Sequence, residues 1–472
     1  MDIERLQTRL KENNQDHLLS FIDQCSDSEC QRFVNELDQL DFEQINRWIK
    51  AFVLNTPEDS LIHEGFGPAR YYPHNPTHDL KDHYEKARKI GSELIAQGKV
   101  GGFVVAGGQG TRLGFDGPKG NFPASPIKNK TLFQLFAQTI AATMARYNAC
   151  CPWYVMTSPI NHDQTLEIFE SNHYFGLNSD NVYIFQQGTL PNFDLRGRIL
   201  LAHRCRISRS PDGHGGSLKA LYTSQAIDHM KQHGVEYMSY WQVDNPMINI
   251  FDPLFIGLHV LDNSDMSTKA LKKTGPFEKL GNLCQVDGKV MVIEYSDLPD
   301  ALAEKRNPDG SLVFEVGSIG IHMISRSFVE RLNQGTFSLP IHRAVKKIPY
   351  LDGHGTVITP DQPNGIKLET FVFDALPLAR NAMILETERS EEFAPIKNAT
   401  GVDSAESSRQ MMINRAARWL EAAGVSVPRL PDGRPDCVIE IDPAFALDPE
   451  TLMERNAQLS PIQSGDKVYL TP

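Results

Sequence analysis

Arg112 and Lys119 lie within Val104-Val-Ala-Gly-Gly-Gln-Gly-Thr-Arg-Leu-Gly-Phe-Asp-Gly-Pro-Lys-Gly120, a glycine-rich run. That combination suits a polyphosphate. Glycine admits φ > 0 and close backbone approach, so successive N–H groups can converge on an anion. The guanidinium and the ammonium neutralise its charge. Four further residues have types that extend this chemistry. Asp244 ends Trp241-Gln-Val-Asp-Asn245; one carboxylate at a strand end suits a hard cation such as Mg²⁺ when phosphates supply other ligands, and equally suits a turn cap. Gln187, in Gln186-Gln-Gly-Thr-Leu-Pro191, can both donate to and accept from an imide edge such as that of uracil. Gly213 sits in Ser210-Pro-Asp-Gly-His-Gly-Gly216, a second glycine loop opening a helix, where N–H groups favour an anionic or polar ligand. Glu294 could bind vicinal hydroxyls, although a glutamate at a strand end is commonly only solvated.

Spacing excludes two familiar glycine loops. A P-loop needs Ser or Thr after its lysine, but Gly120 follows Lys119. A dinucleotide fingerprint beginning at Gly108 would need glycine where Leu113 stands. Kinase and dehydrogenase chemistry are therefore disfavoured.

The elements that must position these groups alternate. Residues 100–106 read as a short apolar strand, and Thr131-Leu-Phe-Gln134 is a capping box opening an apolar-periodic helix. Trp153 to Thr157 and Val182 to Phe185 read as strands, Ser217 to His233 as one helix, and Tyr237 to Val243 as a buried strand. Such alternation predicts an α/β fold with a mostly parallel, helix-covered sheet, whose ligands lie beyond the carboxyl ends of the strands. Upstream, residues 1 to about 55 are helical in pattern, with capping signals at Ser26-x-x-Glu29 and Asp41-x-x-Gln44. They predict a small helical cap packed on the main domain. A connector from Thr56 to about Pro76 and a helix over 79–97 complete an N-terminal part, 1–98. The main domain spans 99–400. A small C-terminal domain, 401–472, holds a helix from Arg409 to Ala423 and two short strand candidates after Pro428.

Bulk properties bound the partners. The 472 residues carry a net charge of −12, from 47 basic and 59 acidic side chains, which disfavours a non-specific nucleic-acid or anionic-membrane surface. Local cations must hold any phosphate. The polar start Met-Asp-Ile-Glu-Arg and the lack of a long apolar run predict neither signal peptide nor membrane span. Cysteines at 25, 30, 150, 151, 205, 284 and 437 show no Cys-x-x-Cys spacing, which predicts free thiols in a reducing cytoplasm and no structural zinc.

Ala106-Gly-Gly-Gln-Gly-Thr-Arg-Leu-Gly114 with Pro118-Lys-Gly120 resembles the signature of the UDP-N-acetylhexosamine pyrophosphorylase family of uridylyltransferases, and the likeness covers roughly residues 60 to 405. The resemblance implies a Rossmann-like nucleotidyltransferase domain with a mixed, mostly parallel sheet, flanked by small N-terminal helical and C-terminal α/β parts. It implies UTP and a sugar 1-phosphate as substrates and Mg²⁺ as cofactor. By motif match, Ala106, Gly107 and Gly108 belong to the nucleotide loop, Arg112 and Lys119 to the β- and γ-phosphates, Gln187 and Gly213 to uracil, and Asp244 to magnesium. The same match implies that Lys367, in Asn364-Gly-Ile-Lys367, contacts phosphate and that Lys397, in Pro395-Ile-Lys-Asn398, reaches the reacting phosphates. Gly281, Glu294 and Tyr295 carry over to the sugar site.

Two positions depart from the pattern there. His214 stands where the family has asparagine, as in UDP-glucose and broader UDP-sugar pyrophosphorylases, and Ser318 replaces a second sugar-side asparagine. The preferred sugar is N-acetylglucosamine 1-phosphate, supported by Gly281. Glucose or galactose 1-phosphate is the alternative, and a silent nucleotide-sugar sensor a second one. A sensor need not keep Arg112, Lys119, Asp244 and Lys397 together. The sequence leaves the oligomeric state open, with a monomer as the simplest expectation.

Overall fold

The computed structural model describes residues 3–55, 65–335, 339–455 and 458–472. Part of the expected connector, residues 56–64, lies outside these. The chain forms two compact units. One comprises Met1–His63, Gln187–Ser217 and Ser338–Asp374; the other comprises Glu64–Gln186, Leu218–Phe337 and Ala375–Pro472.

The larger unit is built on a ten-stranded mixed sheet. Its central run is parallel: Tyr237–Gln242 beside Val100–Val105, then Trp153–Thr157, then Val182–Gln186. Every residue of Trp153–Thr157 is buried, as expected for a strand covered on both faces. Val316–Ser325 adds antiparallel to Tyr237–Gln242, and in turn pairs with Gly281–Val286 and Met266–Lys272. Helix Leu132–Tyr147 starts at Thr131, whose hydroxyl accepts the Gln134 N–H at 3.2 Å, so one half of the expected box forms. It packs Phe136 edge-on against Trp241, with ring centres 5.5 Å apart. Helices Lys81–Ala96 and Pro253–Leu261 cross so closely that a Cβ on Gly91 would strike the Pro253 carbonyl and one on Gly257 the Ala87 carbonyl. Glycine at both positions is what lets the two backbones touch.

One expectation is corrected. The 217–233 helix is two, Ser217–Thr223 and Ala226–Gln232, because Gln225 is left-handed at φ 66°. The Ser224 carbonyl turns out of the helical ladder to accept the Tyr183 hydroxyl at 2.6 Å.

Helix Ala405–Ala422 and the parallel strands Val438–Ile441 and Lys467–Leu470 enclose a core of their own around Leu420, Ile439, Phe445 and Leu452. The Glu440 carboxylate accepts the N–H groups of Ile127 and Lys128 at 2.6 and 2.8 Å, and Lys130 Nζ meets Asp442 at 2.7 Å. These bonds fasten the tail to the segment that enters helix Leu132–Tyr147.

His259 on helix Pro253–Leu261 is wholly buried, with Nδ1 2.7 Å from Ser267 Oγ and Nε2 2.9 Å from Ser325 Oγ. Burial pushes its pKa down to about 3. Below the usual histidine value of about 6.5 the unfolded chain binds a proton that the fold refuses. Its share of stability is therefore present above that value and is lost as pH falls, at ~1.4 kcal/mol per pH unit. Urea unfolding between neutral pH and about pH 5 reads the slope, and His259→Gln is expected to flatten it.

The smaller unit packs helices Ile3–Glu12, Asp27–Asp38 and Phe42–Trp48 with the three-stranded sheet His342–Lys346, Gly365–Glu369, Phe193–Asp194 around Leu10, Phe33, Leu37, Phe193 and Ile366. Ser26 and Glu29 form the full capping box, and Asp41 caps through the Gln44 N–H at 2.9 Å. The free-thiol expectation fails at two of the seven cysteines. Cys25 and Cys205, 180 residues apart, form a disulfide with Cα atoms separated by 6.5 Å, and the other five remain free.

Candidate functional site

In the larger unit the candidate residues gather at the carboxyl ends of the parallel strands. Val100–Val105 runs into the glycine loop, Trp153–Thr157 into Ser158, and Tyr237–Gln242 towards Asp244. The loop is a tight fold-back, with the Gly110 N–H bonded to the Gly117 carbonyl at 2.9 Å and the Lys119 N–H to the Gly108 carbonyl at 3.0 Å. Gly114 and Gly117 take φ of 68° and 136°, where any other residue would be strained.

Two residues that the sequence reading passed over set the loop's polarity. Asn161 Nδ2 donates to the Ala106 and Gly108 carbonyls at 2.8 and 3.3 Å, and Ser158 Oγ donates to the Gly107 carbonyl at 2.8 Å. With three successive carbonyls held this way, the Gly107 and Gly108 N–H groups have no partner among the described residues. Gly108 is exposed, and a Cβ there would meet nothing within 4 Å. The result is a set of uncommitted donors fit for an anion. The available signal was the position of Ser158 and Asn161 just past a buried parallel strand. Asn161→Ala is expected to free the Ala106 carbonyl, leave the Gly108 carbonyl to the Lys119 N–H alone, and weaken UTP binding by about tenfold, roughly 1.4 kcal/mol, read from the UTP concentration dependence of pyrophosphate release.

Lys119 and Asp244 meet. Nζ lies 3.3 Å from Oδ2, with side chains 16% and 12% exposed. Arg112 is exposed and forms no ion pair among the described residues. Asn245 organises the far side: Nδ2 donates to the Glu392 carbonyl at 2.6 Å, while Oδ1 accepts the N–H groups of Met247 and Ala394 at 3.2 and 3.1 Å. The Ile396 N–H bonds the Asp244 carbonyl at 2.8 Å. Lys397, the next residue, is exposed, with Nζ 5.7 Å from the Phe393 ring centre. Beneath this junction Lys269, 1% exposed, bridges Asp252 and Glu392 at 2.7 and 2.6 Å. Burial alone would lower its pKa, but the two carboxylates hold it above the ordinary lysine value.

Gly281 and Ser318 face each other across the ladder between their strands. A Cβ on Gly281 would lie 2.5 Å from Val292 Cγ1 and 3.6 Å from Glu294 Oε1, so Glu294 belongs to the same patch. Ser318 Oγ accepts the Gly320 N–H at 3.5 Å. Tyr295, next to Glu294, is 45% exposed.

In the smaller unit Gln187 and Gly213 are brought together: Nε2 of buried Gln187 donates to Asp212 Oδ1 at 3.1 Å and to the Gly213 carbonyl at 3.3 Å. Gly213 has φ 85°, and a Cβ there would strike the Thr370 carbonyl. His214 Nδ1 accepts the Val372 N–H at 3.0 Å, which places the neutral ring's proton on Nε2, and the ring stacks on Phe371 at 5.2 Å. Burial, with His342 nearby, lowers its pKa to about 4. Lys367 lies on strand Gly365–Glu369 opposite Ala344 and forms no ion pair among the described residues.

Among the described residues no group of three or more His, Cys, Asp or Glu could hold a metal. Asp244 stands as one carboxylate beside the glycine loop, a fit for Mg²⁺ only when substrate phosphates complete the shell. Among the described residues no helix is long and apolar enough to cross a membrane.

Residues 67–432 match the family model described as UTP–glucose-1-phosphate uridylyltransferase. The chain is 38% identical over 383 residues to a UDP-N-acetylhexosamine pyrophosphorylase-like protein 1 of Homo sapiens, covering 77% of this chain and 76% of that one. It is 37% identical over 350 residues to the UDP-N-acetylglucosamine pyrophosphorylase of Saccharomyces cerevisiae, covering 72% and 73%. The crystal structure of the uridine diphosphate N-acetylglucosamine pyrophosphorylase from Trypanosoma brucei in complex with inhibitor superposes with a TM-score of 0.80 at 26% identity, covering 98% and 97%.

Proposed function

From the premise that the chain belongs to the UTP–glucose-1-phosphate uridylyltransferase family of UDP-sugar pyrophosphorylases, we propose that it converts UTP and N-acetylglucosamine 1-phosphate into UDP-N-acetylglucosamine and pyrophosphate. The observation that carries this reading is the Lys119–Asp244 pair, 3.3 Å apart beside a glycine loop with uncommitted N–H groups.

The sugar phosphate oxygen is already anionic, so attack on the α-phosphorus requires no general base. The chain's task is positioning and charge neutralisation. Gly107 and Gly108 amides, with Arg112 and Lys119, hold the β- and γ-phosphates and stabilise the charge on departing pyrophosphate. Asp244 would hold Mg²⁺, which when bound neutralises phosphate charge and orients the triphosphate. Lys397 neutralises the α-phosphate or the incoming sugar phosphate, and Lys367 supplies a second cation to phosphate. Gln187 and Gly213 read uracil. Gly281, Glu294 and Tyr295 hold the sugar. The enzyme works as a cytoplasmic monomer, where UTP and sugar phosphates are found.

A second reading, glucose or galactose 1-phosphate as substrate, draws on His214, whose Nε2–H is a donor where the family has an amide, and on the short Ser318. Pyrophosphate release with UTP, Mg²⁺ and a panel of sugar 1-phosphates tests both. Preference for N-acetylglucosamine 1-phosphate supports the first reading; preference for a hexose moves it to the second. Thermal stabilisation by UTP with no release from any sugar would mean a sensor. His214→Asn and Ser318→Asn together are expected to raise the ratio of kcat/KM for N-acetylglucosamine over glucose 1-phosphate by about tenfold, roughly 1.4 kcal/mol.

A further inference from the structure

The Cys25–Cys205 disulfide lines a cavity of about 680 Å³ in the smaller unit, together with Arg32, His203, Arg204 and Arg206. We propose that this cavity is a thiol–disulfide exchange site for a low-molecular-weight thiol that carries carboxylates. Its volume falls within the range of small-molecule sites. Both cysteines are partly exposed, so the bond is open to attack. Arg32, Arg204 and Arg206 form no ion pair among the described residues. The two acids of the lining are already engaged: Glu29 accepts the Ser26 N–H at 3.0 Å, and Glu36 binds Arg209 Nε at 2.8 Å. The side chains left to receive a ligand are cations, which select a carboxylate-bearing thiol over a neutral one.

The position of Cys25 gives the exchange a direction. It immediately precedes Ser26, the cap of helix Asp27–Asp38, so the helix N-terminus favours a thiolate there. Cys25 is therefore the leaving group. The ligand thiolate attacks Cys205 Sγ, the Sγ–Sγ bond breaks, and Cys25 departs as thiolate, leaving a mixed disulfide on Cys205. A second ligand thiolate attacks the ligand sulfur of that mixed disulfide. It carries off an oxidised ligand dimer and leaves the Cys205 thiolate; each cysteine thiolate then takes a proton. Two electrons pass from two thiols to one disulfide. Opening it leaves the Arg209–Glu36 pair, among the described residues, as the charged tie between helix Asp27–Asp38 and the strands around residue 205.

The test uses the full-length, air-oxidised protein and three thiols: reduced glutathione, 2-mercaptoethanol and cysteamine, which are anionic, neutral and cationic. Thiol titration under denaturing conditions is expected to find five free cysteines before reduction and seven after. Per thiolate, glutathione should open the bridge about tenfold faster than 2-mercaptoethanol, with cysteamine slowest and the advantage lost at high salt. Arg204→Gln with Arg206→Gln should remove that advantage without changing pyrophosphate release, and trapping with an alkylating agent should find glutathione on Cys205. Seven free thiols at the outset, equal rates for the three thiols, or an unchanged preference in the arginine variant would each overturn the proposal. The charge series and salt dependence are read on the native protein, so they stand even where the arginine variant fails to fold.

Discussion

Asp244→Asn is expected to lower kcat for pyrophosphate release by about a hundred- to a thousandfold, roughly 3–4 kcal/mol of transition-state stabilisation. The melting temperature should hardly move. The Asp244 carbonyl, not its side chain, receives the Ile396 N–H, so the junction with the 392–397 segment survives the change. The carboxylate's one ion-pair partner among the described residues is Lys119, and both side chains are open to some solvent, so the pair contributes about 1 kcal/mol or less to folding. A steep kinetic effect with a flat thermal one is the signature of a group held for chemistry. Lys119→Met should behave alike, and the double variant should lose much less than the sum, because the two act on one cluster of phosphates. Full turnover in Asp244→Asn would place the phosphates elsewhere.

Lys269→Met carries the largest expected structural effect. The ammonium is 1% exposed and neutralises Asp252 and Glu392 at 2.7 and 2.6 Å. Without it two buried carboxylates face each other, a loss of about 3–5 kcal/mol and on the order of 5–15 °C in melting temperature. The damage should reach the chemistry, since the Glu392 carbonyl anchors Asn245, the neighbour of Asp244. pH supplies a check on the cause. In the native protein burial would raise the Asp252 pKa, but Lys269 holds it below the ordinary aspartate value. That contribution is present above about pH 4 and is lost as pH falls through the lower folded value. In the variant the carboxyls protonate more readily than in the unfolded chain, so its deficit should shrink between pH 7 and about pH 5. Denaturant midpoints across that interval measure the shrinkage; a constant deficit would point to lost packing.

Local signals were legible in the sequence because they act over a few residues. The Ser26–Glu29 box, the Thr131 cap and the strands ending at the glycine loop and near Asp244 all follow from short-range rules. The glycine loop, Lys119 and Asp244 could be singled out because their residue types already state their chemistry. What supports them could not. Asn161 reaches back 55 residues to the Ala106 carbonyl, Asn245 reaches 147 forward to Glu392, and Cys25 meets Cys205 across 180. Such partners depend on the sheet being assembled, and no spacing encodes them. The break at Gln225 was hidden for another reason: apolar residues on both sides keep helical period, while the event that ends the first helix is a carbonyl turning to a tyrosine on a distant strand.

The uncommitted donors of the glycine loop are main-chain groups, and this has a consequence for tolerance to change. A side-chain ligand disappears with one substitution, but an amide N–H survives every replacement except proline. Gly108, with nothing within 4 Å of a Cβ, should accept alanine and still present its amide. Vulnerability is thereby moved off the loop and onto Asn161 and Ser158, which hold its carbonyls. A saturation library across residues 106–120, 158 and 161 would be expected to show this inversion: residues touching no substrate atom proving less replaceable than a residue whose amide does.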